Sequence, residues 1–393
     1  MLSLANALAG IKVLDFSQGI AAPHAACLLG EMGAEVTKIE PPQGDWLRGI
    51  GVQRGDSSVL HAIFNRGKRG IALDLKRPEG CAAARRLVAA ADVLVENNRP
   101  GVMARLGLDW ATVCQLNPRL VYLSVTGYGQ EGPYVDRPAT DAAMQGYTGL
   151  SFGAGGADEP IRVRVPLVDV VSGVYASQAV LAALLQRGRT GEGQRLDVSL
   201  MHCMAALQGS KYAEYEASGG VLPKEVFAAV GIYRTSDGYI ALSGMREQQI
   251  LDLLALVERE DLLRDPRFAE RTARFANQDA LRALVGEQLA RRSSTYWLSR
   301  LHARGLICQE VLDYGAFRRD PQVLAQQLFQ PAELGEAGTL PTVRMPGLSP
   351  GAPSAAAPGI GEHTVEMLRA AGVAEEELQH WLRSGAVVTA YPH

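Results

Sequence analysis

With 39 basic and 42 acidic side chains among 393 residues, the chain has a net charge of −3 and no global attraction to nucleic acid or an anionic membrane. It is 47% hydrophobic but only 6% aromatic, the composition of a soluble globular protein, and its length calls for two domains rather than one core. No window reads as a membrane span, and five scattered cysteines without a CxxC or a metal-spaced histidine indicate reduced thiols and a cytoplasmic protein.

The N-terminal decapeptide is apolar but lacks the basic region of a signal peptide. Ile11 to Phe16 reads as a buried strand, Ser17 to Pro23 as a loop, Pro23 to Met32 as a helix, and Glu35 to Ile39 as a second strand. Strand, helix, strand within this length is a βαβ unit and implies a parallel sheet. The pattern repeats with strands at Gly70–Leu75, Asp92–Glu96 and Arg119–Thr126 and helices at Pro78–Ala90 and near Trp110–Leu116. The fold class is therefore α/β, a doubly wound Rossmann-like domain that places ligands at the carboxyl ends of its strands. GxGxxG is missing after the first strand, so the dinucleotide fingerprint is absent. Basic residues collect there instead: Lys38, Arg48, Arg66, Lys68, Arg69, Arg99 and Arg105. They read either as solvated surface or as a phosphate site.

The stretch Pro160 to Gly173 has an alternating, β-branched approach, a proline break at Pro166, and one carboxylate, Asp169, before a helix over Val170 to Leu185. A carboxylate at the mouth of a helix reads as a cap for the unpaired N–H groups. It also reads as a nucleophile held in an apolar pocket. Spacing does not choose between the two.

From about Glu225 the texture changes to a hairpin, Val230 to Leu242 with Ser236-Asp-Gly at its turn, followed by short amphipathic helices at Gln248–Val257, Gln278–Ala290 and Ser294–Arg304. We assign residues 1–205 with 340–393 to the large domain, 206–225 to a linker, 226–330 to a smaller α+β domain, and 331–362 to the linker that returns. The helical tail from His363 to Gly385 is expected to dock on the sheet domain. The seven histidines never pair and HExxH is missing, so no metal is expected. GxSxG is missing too, which argues against a serine hydrolase. The glycine-dense loop Val125 to Pro133, with Tyr128, reads equally as a turn and as a cleft lined by backbone N–H groups.

Several phrases occur together in order: Val13-Leu-Asp-Phe16, Leu29-Gly-Glu-Met-Gly-Ala-Glu-Val-Thr-Lys-Ile-Glu40 and Arg66-Gly-Lys-Arg-Gly-Ile-Ala-Leu-Asp-Leu75. They continue with Glu96-Asn-Asn-Arg-Pro-Gly-Val-Met103, Gly127-Tyr-Gly-Gln-Glu-Gly-Pro133, Gly191-Glu-Gly-Gln-Arg-Leu-Asp-Val-Ser-Leu200 and Gly361-Glu-His-Thr-Val-Glu-Met-Leu368. Over almost its whole length the chain thus resembles the class III CoA-transferases, a family that includes formyl-CoA transferase, carnitine CoA-transferase and the α-methylacyl-CoA racemases. The resemblance implies a Rossmann-like domain, a small α+β domain and an interlocked homodimer. It also implies that Asp169 is the nucleophile and passes through mixed anhydrides and an aspartyl-CoA thioester. Coenzyme A, as substrate rather than permanent cofactor, would lie against Lys38, Arg48, Lys68, Arg69, Asn97, Arg99, Met103 and Arg105.

Departures from the family pattern bear on the substrate. Racemases carry a histidine as one base where this chain has Thr140, although Glu247 matches a racemase carboxylate. Formyl-CoA transferase has histidine and glutamine where this chain has Gln18 and Ile20, and a glycine run at Ser243-Gly-Met-Arg246. Asn98 replaces the phenylalanine common after the Asn97 position. Gln18, Tyr128, Thr140, Arg164 and Glu247 are the candidate substrate contacts. Arg164, with Arg162 on the same expected strand face, either sits on the surface or binds the distal carboxylate of a dicarboxylic acid. The second option gives a CoA-transferase using a donor such as succinyl-CoA and an acceptor such as itaconate, mesaconate, citramalate or malate. The alternatives are a 2-methylacyl-CoA racemase and a non-catalytic CoA-binding subunit of a heteromeric transferase.

Overall fold

The computed structural model describes residues 4–55, 57–221, 227–243, 246–335, 338–350 and 355–390. Contacts divide the chain into two compact units, Met1–Ala213 with Gln327–His393, and Glu214–Gln326. The change of texture at Glu225, and Gly244 and Met245 of the expected glycine-run position, lie outside the described residues.

In the first unit the apolar runs form β1 (Lys12–Asp15), β2 (Glu35–Glu40), β3 (Arg69–Leu73), β4 (Val93–Glu96), β5 (Val121–Thr126) and β6 (Gln194–Ser199). These strands are all parallel, in the order 3-2-1-4-5-6, and the short strand Val387–Val388 adds antiparallel to the free edge of β3. That order is the doubly wound one, and it reverses between β1 and β4, where the carboxyl ends of the strands open a crevice.

Because successive strand residues point to opposite faces, the sheet feeds two cores. Val13, Val93, Val95, Leu123 and Val125 pack on one side, against α1 (Ala21–Glu31) and later helices. Leu14, Ile71, Leu94 and Tyr122 pack on the other, against α2 (Pro78–Ala89) and the tail residues Leu368, Leu378 and Trp381.

Two more helices of this unit position the site: α3 (Asp141–Tyr147) and α4 (Leu167–Thr190). By length and composition α4 is apolar enough to cross a membrane, contrary to the sequence reading. It lies in the core, where Val168, Ala176, Val180 and Ala183 are buried. Its close approach to α1 is fixed by Gly173, where a Cβ would stand 2.8 Å from the Ala21 carbonyl oxygen. The expected strand over Pro160 to Arg164 does not form. Val163 instead exchanges two hydrogen bonds with the Gln145 side chain, at 2.9 and 3.0 Å, which satisfies its backbone without a neighbouring strand.

The stretches read as linkers are more ordered than expected. Residues 206–225 include the helix Gly209–Ala217, and 331–362 include most of the antiparallel pair Phe329–Glu333 and Thr339–Val343.

The second unit holds a three-stranded antiparallel sheet, β7 (Gly231–Arg234), β8 (Tyr239–Ser243) and β9 (Ile307–Glu310), with β8 central. Its core joins Tyr233, Ile240 and Phe268 to α5 (Glu247–Leu256), α6 (Gln278–Leu289) and α7 (Ser294–Ala303).

Candidate active site

The first turn of α4 bears on the capping reading of Asp169. Asp141 Oδ2 accepts the Val168 N–H at 2.8 Å and the Asp169 N–H at 3.4 Å, while Asp141 Oδ1 accepts Gln145 Nε2 at 2.8 Å. The cap is therefore Asp141, reaching across from α3, and the carboxylate of Asp169 takes no part in it. His24 Nδ1 lies 3.2 Å from the Val170 carbonyl oxygen and ties the same turn to α1. Burial, and then the neighbouring charge of Asp141, push the Asp169 carboxyl up to about 7. Such a group is divided between acid and base at neutral pH and is more basic than an ordinary aspartate.

Asp169 faces a cavity of about 450 Å3 at the carboxyl ends of β1, β4 and β5. Gln18, Asn97, Arg99 and Thr140 from the sequence prediction line it with Asp169. Gln18 and Asn97 clasp each other: Asn97 Nδ2 donates to the Gln18 carbonyl at 2.7 Å, and the Gln18 N–H to Asn97 Oδ1 at 2.9 Å. This bond pair sets the loops after β1 and β4 at the switch point. Gly127 closes the wall after β5, where a Cβ would stand 2.3 Å from Cβ of Ala139. Thr140 Oγ1 accepts the Ala143 N–H at 3.4 Å as the cap of α3, so its position holds no base.

A smaller cavity, about 220 Å3, shares Asn98, Arg99 and Pro100 with the first and adds Met103, Trp110 and Tyr122. Glu96, Asp109 and Arg195 line it as well, so it is a mixed lobe in which aromatic rings beside an arginine can take a flat heterocycle next to an anionic group. Arg99 and Met103 thus share one lobe, and Arg105, exposed at the end of its helical turn, lines neither cavity.

Other expected phosphate contacts are already occupied. Lys38 is fully buried, 2.9 Å from Asp45 and 2.8 Å from the Ser17 carbonyl oxygen. Lys68 is held by Asp15 at 2.7 Å and by the Pro23 carbonyl and Asn65. Arg48 grips both oxygens of Glu40, at 2.8 and 2.7 Å. These cations build the floor beneath the Ser17–Gly19 loop, and the Gly19 N–H donates to Asp45. Arg69 is exposed and pairs with Glu366 at 3.2 Å, away from both cavities.

Arg164 and Arg162 are exposed, and neither lines the Asp169 cavity. Tyr128 stands one layer back, edge-on to Tyr134 and Tyr147. Glu247 belongs to the second unit, where Arg274 pairs with it. The residue missed from sequence is Arg137, which lines the Asp169 cavity with its guanidinium 3.5 Å from the ring centre of Tyr134. Its one sequence signal was position, four residues before Asp141 in a stretch without periodicity.

Residues 8–364 match the family model described as CoA-transferase family III. The succinate–glutarate CoA-transferase of Agrobacterium fabrum is 32% identical over 384 residues, covering 92% of this chain and 94% of that protein. The succinyl-CoA–L-malate CoA-transferase beta subunit of Chloroflexus aurantiacus is 34% identical, covering 97% of this chain and 98% of that one. A crystal structure of a CaiB/BaiF family protein from Brucella suis aligns with a TM-score of 0.81 at 31% identity, covering 92% of this chain and 98% of the other.

Proposed function

The chain belongs to CoA-transferase family III, and we propose that it moves CoA from a donor such as succinyl-CoA to a short-chain dicarboxylic acid through a covalent intermediate on Asp169. The observation that carries this reading is the Asp169 carboxylate itself, free of capping duty and raised to about 7, in a cavity that also presents Arg99 and Arg137. The dicarboxylate class is supported by relatives named for glutarate and malate.

The chemistry balances without an external reagent. Ionised Asp169 attacks the thioester carbonyl carbon of the donor, the C–S bond breaks, and a mixed anhydride and CoA thiolate result. The thiolate attacks the aspartyl carbonyl carbon and expels the donor acid, leaving an aspartyl-CoA thioester. The acceptor carboxylate attacks that thioester, giving a second anhydride and thiolate, and the thiolate takes the acceptor acyl group and frees Asp169. Arg99 and Arg137 offset the carboxylate charges gathered in one cavity, and the anhydrides need water kept from them while they last. The second cavity beside Arg99 suits the adenine end of CoA.

The same proposal includes a cytoplasmic homodimer. Val174 and Leu185 of α4 are 49% and 64% exposed, which supports burial against a second chain. All five cysteines are unbridged, in keeping with a reducing compartment.

The test is to incubate the protein with succinyl-CoA, quench with hydroxylamine, and map the peptides by mass spectrometry. A hydroxamate confined to Asp169 and absent from Asp169→Ala supports the covalent route. An unmodified peptide from protein that binds CoA overturns it. Labelling that appears only after a paralogous chain is added would assign this chain to a heteromeric enzyme.

A further inference from the structure

The second unit contains a cavity of about 310 Å3 lined by residues of that unit alone. Arg246, Arg271, Arg274 and Glu247 line it, with Ile250 and Phe275 as apolar wall. The buried Arg274 is committed: its Nη1 donates to the carbonyls of Phe268 and Ala269 at 2.7 and 3.0 Å, and its Nη2 pairs with Glu247. That pair shows the cavity already accommodating a carboxylate against a guanidinium. Arg246 and Arg271 are exposed, and among the described residues neither guanidinium has an anionic partner. Among the described residues three guanidinium groups stand against one carboxylate, which makes that lining positively charged, and Arg246 stands at the N-terminus of α5, whose dipole adds to the field.

We infer that this cavity is a binding site for a short-chain dicarboxylate, gripped by Arg246 and Arg271 with its hydrocarbon body against Ile250 and Phe275. Two planar forks without an anionic partner among the described residues match two carboxylates, and guanidinium is the group that binds carboxylate bidentately. The volume lies at the small end of the range of roughly 300–1,000 Å3 typical of ligand pockets, which suits a small organic acid and excludes a whole CoA. The inference rests on this cavity alone and not on the role of Asp169.

Arginine protection tests it with site resolution. The full chain is labelled with phenylglyoxal alone, with glutarate, with butyrate and with inorganic phosphate, and labelled arginines are mapped by mass spectrometry. Glutarate is expected to slow labelling of Arg246 and Arg271 about tenfold at saturation, and butyrate and phosphate to do so far less. In Arg271→Gln the protection of Arg246 should be lost, while in Asp169→Asn it should persist. Protection confined to Arg99 and Arg137 would overturn the inference, as would equal protection by phosphate. Because Asp169→Asn keeps this readout, failure of the covalent mechanism and failure of this site are separable.

Discussion

Two groups of buried or half-buried charge in the large unit are built on opposite rules. Under the Ser17–Gly19 loop, Asp15, Glu40 and Asp45 are matched by Lys68, Arg48 and Lys38 in close pairs. At the mouth of α4, Asp141 and Asp169 stand together as like charges, with Asp141 saturated by hydrogen bonds and Asp169 left to the cavity. Matched charges in a dry interior hold a shape, since each has its partner and its donors. An unmatched one keeps a chemical potential to react, at a cost in stability. The difference separates the frame of the site from its reagent.

The sharpest way to break that contrast is Asp169→Asn. It should lower kcat/KM by about 10⁴-fold, the scale of losing a nucleophile. Stability should move the other way. With its folded-state pKa raised from 3.8 to about 7, Asp169 holds its proton more tightly when folded, so it destabilises the fold as pH rises through that window. The Asn variant should therefore melt higher than the parent at pH 8, by on the order of 1–3 kcal/mol, and no higher near pH 4. A variant that melts lower at pH 8 would mean the carboxylate is matched after all.

The matched region should answer in stability instead. Lys68→Met leaves the buried Asp15 without its ion-pair partner, with only the more distant Lys38 charge and Ser17 to offset it, and should cost about 3–5 kcal/mol in denaturant unfolding. Asp15→Leu with Lys68→Met should recover part of it, because no orphan charge remains, although the buried Ser17 N–H loses its Asp15 acceptor. If the single change left stability unaltered, Lys68 would be free for a ligand phosphate, as the sequence suggested.

That last contrast shows what local sequence can and cannot carry. The parallel strands and the doubly wound class followed from apolar runs alternating with helical periods, because burial imposes those periods on every residue of an element, while the strand order came from the structure. Asp169 was singled out as a lone carboxylate before an apolar helix, and the structure puts it in the first turn of that helix, lining the cavity. Which cations were free was not legible, because Lys68 meets Asp15 across 53 positions and Arg48 meets the Pro358 carbonyl across 310. Likewise the alternation at Ile161 to Arg164 signalled a strand, while the bonds that hold it come from the side chain of Gln145. Side chain–backbone exchange of that kind leaves no period to read.

Asp141→Asn probes the joint between the two rules. Asp141 accepts from Gln145 on one oxygen and from the α4 N–H groups on the other. An amide must turn its NH2 toward one of these donors, and Gln145 cannot yield because both ends of its amide are held by Val163. The loss of one buried bond should cost about 1–2 kcal/mol. Removing the neighbouring charge should also lower the Asp169 pKa, so the acid limb of the rate profile, near pH 7 in the parent, should move to lower pH. An unmoved limb would show that burial alone sets it.

The smallest expected effect compares two arginines. Both are exposed, but Arg137 lines the Asp169 cavity and is steadied by the ring of Tyr134, 3.5 Å away, whereas Arg164 lines neither that cavity nor the neighbouring one. Arg137→Gln removes a charge-assisted contact and should raise KM for a dicarboxylate by about tenfold, with kcat less affected. Arg164→Gln should change it less than about twofold, as at most surface positions. Tyr134→Leu should fall between the two, because it leaves the charge and removes only what orients it, a contact of about 0.5–1 kcal/mol at an exposed site. If Arg164→Gln proved the costlier change and spared monocarboxylic acids, the distal carboxylate would be read by the segment before α4, and Arg137 would hold only its tyrosine.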